Sequence, residues 1–187
     1  MTAKKSSNQA IRADGGMFVT QSSGKESDHS QLSFMPAGGE GKVVDDDVKS
    51  PGGLALSPDQ SLLYVNDSRS HWVYSYQVQA DGSLRFKQRF DDLFVPDAAD
   101  DTAAGGMCVD RDGRLYVATR SGVQMCDQAG RVMAIIPVPG GAVSDVWFGG
   151  ANLDQLVAMC GNQLFGRQLK TKGCLPTEPI KPAAPKL

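Results

Sequence analysis

One pattern recurs along this chain and restricts its fold more than any other feature. A short apolar run leads into a turn rich in Asp and Gly, and a second run follows with an aromatic residue and then Val. The plainest copy is 107–117 (MCVDRDGRLYV), and a second is 54–65 (LALSPDQSLLYV). Weaker copies lie at 10–19 (AIRADGGMFV) and 146–157 (VWFGGANLDQLV). Each reads as a β-hairpin, because Gly and Asp tolerate the positive φ of tight turns and Tyr, Phe and Val suit flanking strands. Further strands lie between the copies. His71–Val78 leads through the turn 80–83 into Leu84–Lys87, and Ser121–Cys126 leads through 127–130 into Val132–Ile136. The period is about 40 to 50 residues with four strands each, the spacing of propeller blades. No long segment of 3.6-residue periodicity supports a helical solenoid. The expected fold is all-β: a partial β-propeller of three to four blades over 1–174, an open arc with exposed strand edges and an apolar blade face.

Composition agrees. The chain has 187 residues, 41% hydrophobic and 21% charged, with 21 glycines, as in a turn-rich globular domain. The net charge of −2 comes without a basic block, which argues against nucleic-acid binding. Cys108, Cys126, Cys160 and Cys174 are widely spaced and form no C-x-x-C pair, so buried or inert thiols in a reducing compartment are expected. The polar start Met1–Asn8 has no apolar core of a secretion signal, and no apolar run reaches the length of a membrane helix. A cytoplasmic location is the default expectation, with no membrane partner. The Pro-rich end, 175–187, cannot continue a sheet and is expected to be an extended tail. The acidic run Asp45–Asp47 reads as a solvated turn. Asp110-Arg-Asp-Gly113 has the look of a calcium loop, but Arg114 stands where an oxygen ligand belongs, and a β-turn explains it better. His29 and His71, the only histidines, fit no hydrolase motif and are expected at the surface or a strand edge.

Two segments make the pattern more specific. Residues 50–59 (SPGGLALSPD) followed by 63–68 (LYVNDS), and then 104–118 (AGGMCVDRDGRLYVA), resemble successive signatures of the gluconolactonase (senescence-marker-protein, regucalcin-like) family. Those signatures read Pro-Asn-Gly-Leu…Ser-x-Asp…Tyr-x-x-Asp-Ser and Pro-Asp-Gly-Met-x-x-Asp-x-x-Gly-x-Leu-Tyr/Trp-Val-Ala. The segment Ser6–Thr20 resembles the preceding Asn-Asp…Gly-Gly-x-Tyr-Phe-Thr. The resemblance implies a six-bladed propeller with one divalent cation, Ca²⁺ or another, in its channel. It also implies a hydrolase that opens sugar lactones. A hard cation takes oxygen ligands, polarises the lactone carbonyl and stabilises the oxyanion.

Carried across position by position, the resemblance places the Asn of Pro-Asn-Gly-Leu on Gly52 and the Asp of Pro-Asp-Gly-Met on Gly105. The Asn of Asn-Asp, a substrate or metal contact, falls on Ser7, or on Asn8 after a one-residue shift. The family's first-blade Glu has no counterpart. Glycine offers no side-chain oxygen, so no catalytic or metal-ligand residue and no cofactor is expected in this chain. Two functions stay open: a metal-dependent lactonase by descent, acting on a small lactone, and a non-catalytic propeller fragment serving as a binding or assembly module. Two arcs of about three blades pairing as a homodimer would complete a six-bladed ring.

Overall fold

The computed structural model describes residues 9–22 and 30–184. Among them, strands alternate with tight turns and there is no helix. The first sheet holds β1 (Gln9–Ile11), β2 (Met17–Ser22), β3 (Ser30–Met35) and β4 (Lys42–Asp45). The second holds β5 (Pro51–Leu56), β6 (Leu62–Asp67), β7 (Trp72–Val78) and β8 (Leu84–Asp92). The third holds β9 (Met107–Val109), β10 (Leu115–Thr119), β11 (Gly122–Cys126) and β12 (Val132–Ile136). The fourth has three strands, β13 (Asp145–Gly149), β14 (Gln155–Cys160) and β15 (Gln163–Gln168). Every neighbouring pair is antiparallel and in sequence order, which is the meander of a propeller blade. The expected partial propeller is therefore present as four blades, the last with three strands rather than four.

Each of the four recurring segments forms the first hairpin of a blade. The turn of the third blade shows how the sequence does this. Buried Asp110 accepts from the amides of Asp112 (3.0 Å) and Arg114 (2.9 Å) through one oxygen. Through the other it accepts from Arg114 Nε (2.7 Å) and the Tyr116 hydroxyl (3.1 Å). Gly113 takes φ 82°, which a side chain would resist. Asp110 is thus a turn staple, as expected. The next turn repeats it: Asp127 accepts from the amides of Ala129 (2.9 Å) and Arg131 (3.0 Å) and from Arg131 Nε (2.8 Å).

The middle blades are buried on both faces, so their strands send alternate residues to different seams. On β6, Leu63 and Val65 join Phe18, Leu32 and Phe34 between blades 1 and 2. Tyr64 points the other way and joins Leu93, Met107, Leu115 and Val117 between blades 2 and 3. A third cluster, with Tyr116, Ala118, Val146 and Leu156, joins blades 3 and 4. Among the described residues no core cluster links blade 4 back to blade 1, so the blades form an open arc. Exposed Met35 and Val43 on blade 1, and exposed Leu164 on blade 4, follow from those free ends.

Two boundaries differ from the reading of the sequence. The strand expected over 84–87 continues to Asp92, because bulges in its pairing with β7 keep it in register and Phe90 stacks on Tyr64 at 4.9 Å. The Pro-rich end forms no strand through 184, but it runs back beneath the arc. Lys172 O accepts from Arg111 N (2.8 Å), and Gly173 N donates to Leu153 O (2.8 Å). Farther on, Gln60 Nε2 donates to Pro176 O (2.7 Å) and Ile180 N to Pro58 O (2.7 Å). The segment therefore touches blades 3 and 4 at residues 172–173 and blade 2 at 176–180, and then returns to blade 3, where Gln128 Nε2 donates to Ala183 O (2.8 Å).

Candidate functional site

The inner strands β1, β5, β9 and β13 stand side by side around the channel and all enter it from the same end. Gly52 lies on β5 near its start, Gly105 just before β9, and Ser144 just before β13. The two positions singled out by the sequence are therefore brought together at one mouth of the channel. Ser7, Asn8 and His29 lie outside the described residues.

This mouth is closed by hydrogen bonds. Asn66 on β6, wholly buried, accepts from Gly53 N (2.9 Å) and donates from Nδ2 to Gly105 O (2.6 Å). Gly105 N donates to Ala118 O (2.9 Å), and Gly106 N donates to Ser144 O (3.0 Å). Blades 2, 3 and 4 are thereby tied in succession. The double glycines permit it. A Cβ on Gly52 would stand 2.5 Å from Asn66 Oδ1 and 2.6 Å from Ala104 O. A Cβ on Gly105 would collide with Ser144 O, and one on Gly53 with Gly105 O. Backbone from the next blade occupies the space that a ligand side chain would need.

Asp145 is a carboxylate at this end. It lies over Gly106, where it leaves no room for a Cβ, and it accepts from Val146 N (2.8 Å). Burial raises its pKa above the usual carboxylate range, against the lowering effect of the Val146 amide. The donors present do not fit the family's cation. A hard cation of this kind takes about six to eight oxygens. Here the Asn66 amide and the carbonyls of Gly105 and Ser144 are already hydrogen-bonded. Among the described residues, no three His, Cys, Asp or Glu side chains are grouped to hold a metal.

The other candidates are accounted for nearby. His71 is half-buried on the strand edge, stacked on Trp72 at 4.6 Å and 3.9 Å from Asp92. Asp45 and Asp47 both pair with Lys87, at 3.3 and 3.1 Å. Cys126 and Cys160 are buried and Cys108 and Cys174 half-buried, all four as free thiols. Asn66 was legible only as part of an Asn-Asp-Ser element. The Ser144-Asp145 pair ahead of the loosest repeat carried no signal that would have placed it at the mouth.

At the opposite end the inner strands enclose a cavity of about 330 Å³, which takes in Ile11, Leu54, Met107, Trp147 and Phe148. The returning segment Cys174–Pro176 forms its floor. The described residues contain no helix long and apolar enough to cross a membrane.

Residues 2–159 match the family described as SMP-30/Gluconolactonase/LRE-like region. A gluconolactonase of Zymomonas mobilis is 27% identical over 135 residues, covering 67% of this chain and 36% of its own length. Human regucalcin is 27% identical over 120 residues, covering 62% of this chain and 38% of its own length. This chain thus spans little more than a third of those relatives. Among solved structures, a gluconolactonase of Xanthomonas campestris superposes with a TM-score of 0.73 at 27% identity, over 86% of this chain and 56% of that one.

Proposed function

The chain belongs to the SMP-30/gluconolactonase/LRE-like family, and from that premise we propose that it is a non-catalytic member, a propeller arc that binds rather than hydrolyses. The reading rests on one observation. Gly52 and Gly105, where the sequence resemblance puts the family's metal ligands, lack side-chain oxygens, and their Cβ directions are blocked by Asn66, Ala104 and Ser144. Lactone opening by the family route needs a cation to polarise the carbonyl and a carboxylate to take a proton from water. Asp145 is a single carboxylate, held by its neighbouring amide and without companions to hold a cation beside it.

The competing reading, a lactonase by descent, is favoured by the retained hairpins and by relatives named gluconolactonase and lactonohydrolase. The two are separated by titrating the chain calorimetrically with Ca²⁺, Mn²⁺ and Zn²⁺ and assaying gluconolactone opening in the same solutions. A non-catalytic member gives no saturable heat and no turnover above the uncatalysed rate. Saturation near one ion per chain, with metal-dependent ring opening, overturns the proposal.

A further inference from the structure

The cavity at the far end of the inner strands has three properties that together point to a ligand. First, its walls carry no charged side chain. Two thiols border it, Cys108 and Cys174, and burial raises the pKa of both, that of Cys174 to about 11, so both are neutral at pH 7. Second, two of its polar lining residues are already engaged within the protein. Ser57 Oγ donates to Asp59 (2.7 Å) and accepts from Leu62 N (2.9 Å). The Gln60 amide accepts from Ala13 N (2.9 Å) and donates to Pro176 O (2.7 Å). Third, large apolar residues from three distant parts of the chain meet there while still open to solvent: Ile11 at 43%, Trp147 at 36% and Leu175 at 45% exposure. The lining mixes these apolar side chains with uncharged polar groups, Gln9 among them, and an uncharged concavity of this volume is of the size a small-molecule site requires.

We propose that this cavity binds a neutral, largely apolar small molecule of bicyclic aromatic size, seated against Trp147 and Phe148 over the floor made by Leu175 and Pro176. The inference deepens the reading of the chain as a binding module by giving it a ligand class. That class is not the sugar lactone of the family reaction. Ring hydroxyls set against Trp147, Phe148 and Leu175 would lose water without gaining a partner, and Ser57 and Gln60 are already hydrogen-bonded within the protein. An anion or cation would meet no opposite charge on the walls.

The test uses the full chain and the neutral fluorophore N-phenyl-1-naphthylamine. The chain has two tryptophans, so Trp72→Phe leaves Trp147 as the sole indole. Expected are saturable binding of one probe per chain, energy transfer from Trp147 to the probe, and no displacement by gluconolactone. Leu175→Asp, and separately Ile11→Asp, should weaken binding at least tenfold with the thermal transition retained. Leu164→Asp, on the exposed strand β15, should leave binding unchanged. Three results overturn the proposal: no saturable binding in a cooperatively folded Trp72→Phe chain; equal weakening by Leu164→Asp and Leu175→Asp; or probe binding that disappears on dilution together with a dimer seen by light scattering. Metal-dependent lactone turnover would instead refute the non-catalytic reading and leave this cavity untouched. Absence of probe binding would refute the cavity alone.

Discussion

The two ends of the inner strands are built from opposite materials. At the starting end, Gly52, Gly53, Gly105 and Gly106 let backbone meet backbone, and the Asn66 amide holds Gly53 in its own blade with one group and Gly105 in the next blade with the other. At the far end, bulky Leu54, Met107 and Phe148 hold the strands around an uncharged space, and the C-terminal segment is laid across it. The contrast is instructive because both ends belong to the same four strands. The side chains at each end decide whether the channel closes on itself or stays open, and here the end that carries Gly52 and Gly105 is the one that closes.

The seam between blades 2 and 3 carries both ends, and it contains the group expected to have the largest effect. Asp91 is wholly buried, and among the described residues no N–H or O–H group donates to its carboxylate. Burial pushes its pKa up to about 7; the Cys126 thiol opposes this and Asp127 adds to it. A folded pKa above the unfolded one means stability is greatest below about pH 4 for this group and is lost as pH rises toward 7. The loss is on the order of 4 kcal/mol at most. Asp91→Asn should therefore melt higher than the parent at pH 8, with the gap closing toward pH 5. A constant gap across that range would show that the group titrates normally.

The next effect belongs to the closed end. Gly105→Asp must push Ser144 and blade 4 outward, and should cost about 3 kcal/mol by chemical denaturation. Asn66→Ala strands a buried donor and a buried acceptor and should cost about 2 kcal/mol. A cost near zero for either would mean that the mouth is not held by these contacts. The smallest effect belongs to the open end. Leu175→Ala removes a side chain nearly half in water and should change stability by less than about 1 kcal/mol. A larger loss would show that the returning segment holds the arc together rather than merely flooring the cavity.

Much of this was legible in the chain because it is local. Asp110 and Gly113, and again Asp127 and Gly130, specify their turns through contacts within five residues, so hairpins could be placed from the sequence. The two long motifs fixed the register of Gly52 and Gly105 relative to one another, and the structure brings both to one mouth. The contacts that close the mouth were not legible. Asn66 reaches Gly105 across 39 residues, and how closely two blades approach depends on the absence of Cβ atoms on both. The course of the Pro-rich end was hidden for the same reason. Its composition forbids a strand, yet its position is set by distant partners such as Gln60 and Pro58.

Steric closure of the mouth at Gly52 and Gly105 is tested most directly by the double variant Gly52→Asn/Gly105→Asp, melted with and without millimolar Ca²⁺. Steric closure predicts a transition lower than that of the parent by about 6–12 °C and unmoved by Ca²⁺. A double variant that melts at or above the parent and rises further with Ca²⁺ would show that the site was merely missing two side chains, and would contradict the account.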